Sequence, residues 1–243
     1  MIVLWILLGI VGLILGLAIL DLLVLMLSTA FVPKKEYDKN SRYYRFLLNF
    51  HIALAMKILH VKVNVENGEA LDGINGRFLF VSNHRSDYDP ITALYAFKKH
   101  DLAFISKKEN LNIPFVGGLI RKCCFMEIDR VNPRNAVKTL KRASELIVKN
   151  EASVGVYPEG TRSKDCSLLP FHDGVFKIAK TANVPVAVIA VTGTEKIRKN
   201  IPFKKSVVNI KVLKIIPVEE VATLTTHELA ADAKDEMARA LEA

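Results

Sequence analysis

The chain has 243 residues, of which 51% are hydrophobic, and 34 Lys and Arg against 25 Asp and Glu give a formal charge of +9. That length holds one sizeable α/β domain with a small appendage, and the positive balance suits an anionic surface. Nucleic acid is excluded as the partner, because no binding motif or aromatic-interleaved basic run occurs. Cys123 and Cys124 are adjacent and Cys166 is alone, a spacing that fits neither a disulfide framework nor a zinc site. They read as reduced cysteines of a cytoplasmic domain, with Cys123 or Cys124 in the core.

From Met1 to Leu20 there is no charged side chain, and Asp21 is the only one before Lys34. The run is long enough for a membrane helix or a two-helix anchor. It lacks the basic start and short apolar region of a cleaved signal peptide. Every Lys and Arg lies after residue 33, so the positive-inside tendency places the body of the chain on the cytoplasmic side.

Ser41 to Leu59 follows with apolar residues at helical spacing. Tyr43, Phe46, Leu47, Phe50, Leu54 and Ile58 share one face, with Arg42, Arg45 and Asn49 off it. The helix lies on the membrane or packs on the domain core. Val61, Val63 and Val65 alternate with polar residues as a strand, and Gly73 and Gly76 mark a turn. Apolar strands are expected at 78–81, 102–105, 125–128, 154–157, 186–191 and 207–216. Helices are expected at 135–148, 173–181 and 226–241. Strands alternating with helices predict an α/β domain with a mixed, largely parallel sheet flanked by helices.

Two runs carry the chemistry. In "VSNHRSDYDP" (81–90), Val81 ends a strand and Pro90 sits at the first position of a helix, which puts Asp89 at the cap. His84 falls in the loop at the sheet edge, where ligands bind in open α/β sheets. A carboxylate on one ring nitrogen fixes the tautomer and frees the other as a base, and either Asp87 or Asp89 meets that need. The second run, "YPEGTR" (157–162), also follows a strand. A glycine, a hydroxyl and an arginine in such a loop suit a bound oxyanion. Glu159 would orient Arg162 or accept a hydroxyl hydrogen bond.

Together, in this order and behind an apolar N-terminus, these runs resemble the glycerolipid acyltransferases, with the 1-acyl-sn-glycerol-3-phosphate acyltransferases as the nearest match. "NHRSDYDP" is similar to that family's first motif, in which the resemblance makes His84 and Asp89 the dyad. "YPEGTR" is similar to its third. "SKKENLNIPFVGG" (106–118) resembles the lysine-containing segment before the second motif, and "CCFMEIDR" (123–130) occupies the place of the second. There Cys124 and Glu127 stand where the family has glycine and phenylalanine, while Arg130 matches. "VPVAVIAV" (184–191) resembles the fourth motif, with Val188 in place of a common proline.

The resemblance implies membrane-associated helices over 1–60 and an acyltransferase catalytic domain over 61–243. It implies that His84 is the general base on the free hydroxyl of lysophosphatidic acid and Asp89 its orienting carboxylate. Arg130, Arg162, Gly160, Thr161, Glu159 and Lys108 would form the phosphate side, with Lys107 as the rival to Lys108. The co-substrate would be an acyl-CoA or acyl carrier protein thioester, with no bound cofactor and no metal, and the product phosphatidic acid. A sibling activity on glycerol 3-phosphate or another lysophospholipid is the alternative within the superfamily. A metal hydrolase built on His84, Asp87 and Asp89, and a non-catalytic binder of anionic lipid, are the readings from outside it.

Overall fold

The computed structural model describes residues 1–129 and 132–242. In chain order the helices are α1 (Ile2–Ala30), α2 (Arg42–Ile58), α3 (Glu69–Asp72), α4 (Asp89–Ala96), α5 (Lys108–Leu111), α6 (Val116–Lys122), α7 (Pro133–Val148), α8 (Lys177–Ala182), α9 (Ile197–Asn200), α10 (Val218–Thr223) and α11 (Thr226–Glu242). The strands are β1 (Val61–Glu66), β2 (Leu79–Ser82), β3 (Ala103–Ser106), β4 (Met126–Glu127), β5 (Val154–Val156), β6 (Val186–Thr192) and β7 (Ser206–Ile216).

The strands form one sheet in the order β1-β7-β6-β2-β5-β3-β4. From β6 to β4 all neighbours are parallel, β7 runs antiparallel to β6, and β1 is parallel to β7. This is the expected mixed, largely parallel sheet. The central strands β2 and β5 are buried along their whole length, as strands covered by helices on both faces must be. In β7, Ser206, Val208 and Ile210 face inward while Val207, Asn209 and Lys211 face out.

The direction of the strands fixes which edge carries loops that can meet. β2, β3, β5 and β6 all end at one edge. Because β7 is reversed, its start is at that edge too, and Val61 of β1 pairs with Ser206 there. Most expected boundaries hold within a residue or two. The strand expected at 125–128 shrinks to Met126–Glu127, which pairs with the end of β3. α7 begins at Pro133, not at 135, because the Asn132 side chain accepts the Arg134 N–H at 3.1 Å and caps the helix.

α2 has two apolar faces. Leu48, Ile52 and Met56 join the core. The expected stripe, apart from Leu47, faces outward: Tyr43, Phe46, Phe50, Leu54 and Ile58 are exposed. Arg45, off the apolar stripe as expected, is buried against the domain. Its guanidinium donates to the carbonyls of Leu102 at 2.7 Å and Cys123 at 3.1 Å, and to Asn40 Oδ1. Those acceptors are what allow an arginine there.

α1 divides at Asp21. Every residue from Leu4 to Leu20 is exposed, and Leu4–Ala30 has a mean hydropathy of 2.9, long and apolar enough to cross a membrane. From Asp21 on, one face meets the domain. Asp21 Oδ2 lies 3.1 Å from His51 Nε2, Tyr44 donates to the Ser28 carbonyl at 2.7 Å, and Thr29 packs beside Gly118. Cys123 and Cys124 are both buried. Burial pushes their thiols up to about 11 and about 12.

Candidate active site

β2 delivers its last residues to the loop edge of the sheet. There Asn83 fastens the strand end to β6: its side-chain amide donates to the Val191 carbonyl at 2.9 Å and accepts the Val191 N–H at 2.8 Å. His84 comes next, with its ring partly open to solvent. Asp89 is the first residue of α4, and Tyr88 holds the cap position, one residue earlier than expected. Tyr88 makes no side-chain cap bond, and the bonds of the Asp89 carboxylate run away from its own helix. The carboxylate turns back to the loop, where Oδ2 accepts His84 Nδ1 at 2.8 Å and the N–H groups of Arg85 and Ser86 at 2.7 Å each. Oδ1 accepts Thr194 Oγ1 at 2.5 Å. Four donors therefore converge on a carboxylate with no solvent exposure, the provision a buried carboxylate needs.

An ionised Asp89 can only accept, so the proton at this contact sits on His84 Nδ1. Nε2 then carries the free lone pair, and among the described residues no side chain occupies it. Asp87, the other candidate, is engaged elsewhere: its Oδ2 accepts Arg162 Nη1 at 2.5 Å, with both side chains largely exposed. Among the described residues no three His, Cys, Asp or Glu side chains gather as a metal would require.

The loop after β5 grips the main chain of His84 from both sides. Glu159 Oε1 accepts the His84 N–H at 2.6 Å, and the Ser163 N–H donates to the His84 carbonyl at 2.9 Å. Glu159 Oε2 also accepts the Leu169 N–H at 3.0 Å. This corrects the expectation for Glu159. It is buried and bonds two backbone amides, so neither Arg162 nor a hydroxyl is its partner. Burial raises its carboxyl above the ordinary value, against the pull of the two N–H donors.

Tyr157 stacks on the His84 ring, with centroids 4.2 Å apart and planes within 16°. Phe104 of β3 lies under Tyr157 at 5.5 Å and 8°. The Tyr157 hydroxyl is buried and takes no hydrogen bond among the described residues. Burial first, then the charge of Asp89, raises its pKa well above the ordinary tyrosine value.

The expected phosphate side lies on loops at the same edge. Thr161, Arg162, Lys107 and Lys108 are exposed, and Lys108 opens α5 just past β3. Gly160 has φ +67°, and a Cβ there would meet His172 Cδ2 at 3.0 Å, so both backbone and space call for glycine. Arg130 lies outside the described residues. Asn83 and Tyr157 lie inside the two motif runs but are assigned no role there, and Ser163 and Thr194 lie outside both. For Thr194 one signal existed: Gly193 directly after β6 adopts φ +90°, and the Val207 carbonyl oxygen occupies the space a Cβ would need. A glycine at a strand end marks a forced turn.

A model of the family described as "Acyltransferase" matches residues 62–192. A chloroplastic 1-acyl-sn-glycerol-3-phosphate acyltransferase of Brassica napus is 40% identical over 136 residues, 56% of this chain but 39% of the relative. The chain thus spans about two-fifths of the length of that plant relative. The 1-acyl-sn-glycerol-3-phosphate acyltransferase of Salmonella typhimurium is 32% identical over 171 residues, covering 70% of this chain and 69% of its own. The crystal structure of the 1-acyl-sn-glycerophosphate acyltransferase of Thermotoga maritima superposes with a TM-score of 0.68 at 28% identity, covering 82% of this chain and 80% of the other. With the match running from β1 through the end of β6, and with the mixed sheet shared, the chain belongs to the acyltransferase family.

Proposed function

We propose that the chain transfers an acyl group from a thioester to the sn-2 hydroxyl of 1-acyl-sn-glycerol 3-phosphate, giving phosphatidic acid and a free thiol. The observation that carries this reading is the His84–Asp89 contact at 2.8 Å with the second ring nitrogen free at the loop edge of the sheet. Nε2 takes the hydroxyl proton as the oxygen attacks the thioester carbonyl. The resulting imidazolium is stabilised by Asp89 and returns the proton to the departing thiolate. No protein nucleophile is required. General-base assistance of this kind is typically worth about 10²–10⁴-fold.

Arg162, Lys108, Gly160 and Thr161, with Arg130, hold the substrate phosphate; guanidinium forks and exposed backbone N–H groups suit that role. Glu159 serves by fixing the main chain of His84. The donor is acyl-CoA or acyl carrier protein, and no bound cofactor takes part. α1 anchors the chain in a membrane with the domain on the cytoplasmic side, where a lipid acceptor and a water-soluble donor meet.

The test is a purified-enzyme assay with lysophosphatidic acid and an acyl thioester, with and without a chelator, beside His84→Ala. Phosphatidic acid formation that survives the chelator and drops at least about a hundredfold in the variant is expected. Undiminished turnover by His84→Ala would sink the dyad. Glycerol 3-phosphate run in parallel separates the sibling activity.

A further inference from the structure

The connection from β6 to β7 does two things. Its Thr194 bonds the dyad carboxylate. The residues beyond, "KIRKNIPFKK" (196–205), are strongly basic, and Lys196, Arg198, Lys199, Lys204 and Lys205 are all exposed. Ile197, fully buried, pins the segment to the core. Lys204 N–H donates to the Asn200 carbonyl at 2.8 Å, and the Asn200 side chain bonds the Lys205 carbonyl and Ser206 Oγ. The turn is therefore closed on itself, and it holds Phe203 out at 93% exposure.

Phe203 and Lys205 line one side of a cleft of about 430 Å³, and Lys57, His60 and Lys62 line the other. Among the described residues no carboxylate lines it. The cleft sits where Val61 pairs with Ser206, on the same edge of the sheet as the end of β2 and His84. It also adjoins the C-terminal end of α2, where the exposed apolar stripe finishes at Ile58 beside Lys57.

We infer that the β6–β7 turn is a second lipid contact, binding the phosphate headgroups of an anionic bilayer surface, with Phe203 entering the interface and the surrounding lysines neutralising the headgroups. Three observations favour a bilayer over an acidic protein. A single large aromatic tip flanked by lysines is interfacial in character. The cations form a shallow sheet-edge patch continuous with the outward apolar face of α2. The whole patch lies on the edge to which a lipid acceptor must be delivered. Binding there would hold the mouth of the site against the leaflet, so that α1 tethers the chain and this turn sets its orientation.

The test reads lipid contact without turnover, so it stands apart from the acyl-transfer reading. Trp5 is the chain's one tryptophan. The full chain carrying Trp5→Phe and Phe203→Trp is placed in nanodiscs of phosphatidylcholine alone or doped with phosphatidylglycerol. A blue shift of the indole emission from position 203 and its quenching by brominated lipid, both dependent on phosphatidylglycerol, are expected. Lys204→Ala and Lys205→Ala should each weaken the contact roughly fivefold. Emission equal to that in detergent, or a shift that ignores both phosphatidylglycerol and the lysines, overturns the inference. So does a shift produced in lipid-free micelles by inorganic phosphate or by an acidic carrier protein.

Discussion

Thr194 Oγ1 donates to Asp89 Oδ1 across 105 residues of chain, on the carboxylate oxygen that His84 does not use. The bond sets the rotation of the carboxylate and hence the line along which it meets the imidazole. Hydrogen bonds to charged groups contribute about 1.5–3 kcal/mol. Thr194→Val should therefore lower kcat by roughly tenfold with KM little changed, since in the proposed mechanism the lost interaction steadies the imidazolium of the transition state. Thr194→Ser should restore it. A valine variant with the parental kcat would remove Thr194 from the mechanism.

Arg162 is held by Asp87, so if it is the phosphate contact proposed above, the phosphate has to draw it away. An exposed pair of this kind is worth about 0–1 kcal/mol. Asp87→Asn should accordingly lower KM for the phosphate-bearing acceptor by up to roughly fivefold, and Arg162→Ala should raise it. The opposite sign for Asp87→Asn would mean that the carboxylate aims the guanidinium and does not compete for it.

Tyr157 offers a face to His84 and an unsatisfied hydroxyl to the interior. Removing that hydroxyl should gain about 1 kcal/mol or leave stability unchanged. Tyr157→Phe should keep its activity to within about twofold, whereas Tyr157→Leu, lacking the flat stack, should lose both stability and kcat. A tenfold loss in the Phe variant would instead give the hydroxyl a chemical part. Unfolding in detergent and steady-state rates read the two effects separately.

The burial of Glu159 ties stability to pH. Its folded-state pKa is raised, so its contribution to stability is present in full below the ordinary carboxylate pKa. That contribution is lost as pH rises through the higher folded value. Relative to Glu159→Gln, the parent chain should become less stable as pH rises above the ordinary carboxylate pKa. Denaturant titrations at several pH values measure the difference, in which the other titrating groups cancel. A difference that grows in the parent's favour would contradict the burial assignment.

The cysteines allow a simple chemical check. With thiols at about 11 and about 12 inside the core, Cys123 and Cys124 stay protonated and inaccessible near neutral pH. A thiol reagent should label Cys166 first, and the pair only on unfolding. Rapid labelling of Cys123 would show that the end of α6 opens.

The strands were legible because the buried centre of a parallel sheet is written as short apolar runs such as Phe78–Val81 and Val186–Val191. The direction of α2 was not. Both of its faces are apolar, and periodicity finds a stripe without saying whether protein or lipid covers it. The burial of Arg45 was not legible either, since it depends on carbonyls at Leu102 and Cys123 that only the tertiary fold brings near. The same limit applies at the site. Asp87 and Asp89 are equivalent by local spacing, and the start of α4 is what turns Asp89 back toward the ring. Glu159 sits in a recognisable run, yet its partner is an amide 75 residues away.

The contact between Asp21 and His51 also acts as a depth gauge. From Ile2 to Leu20 the helix rises roughly 28 Å at about 1.5 Å per residue, close to the ~30 Å hydrocarbon thickness of a bilayer. The polar contact that first ties α1 to the rest of the molecule thus stands where the oily part of a membrane would end. With α1 in a membrane, an ionisable pair stationed there would limit how far the domain could be drawn in, because Asp21 and His51 would have to leave water together.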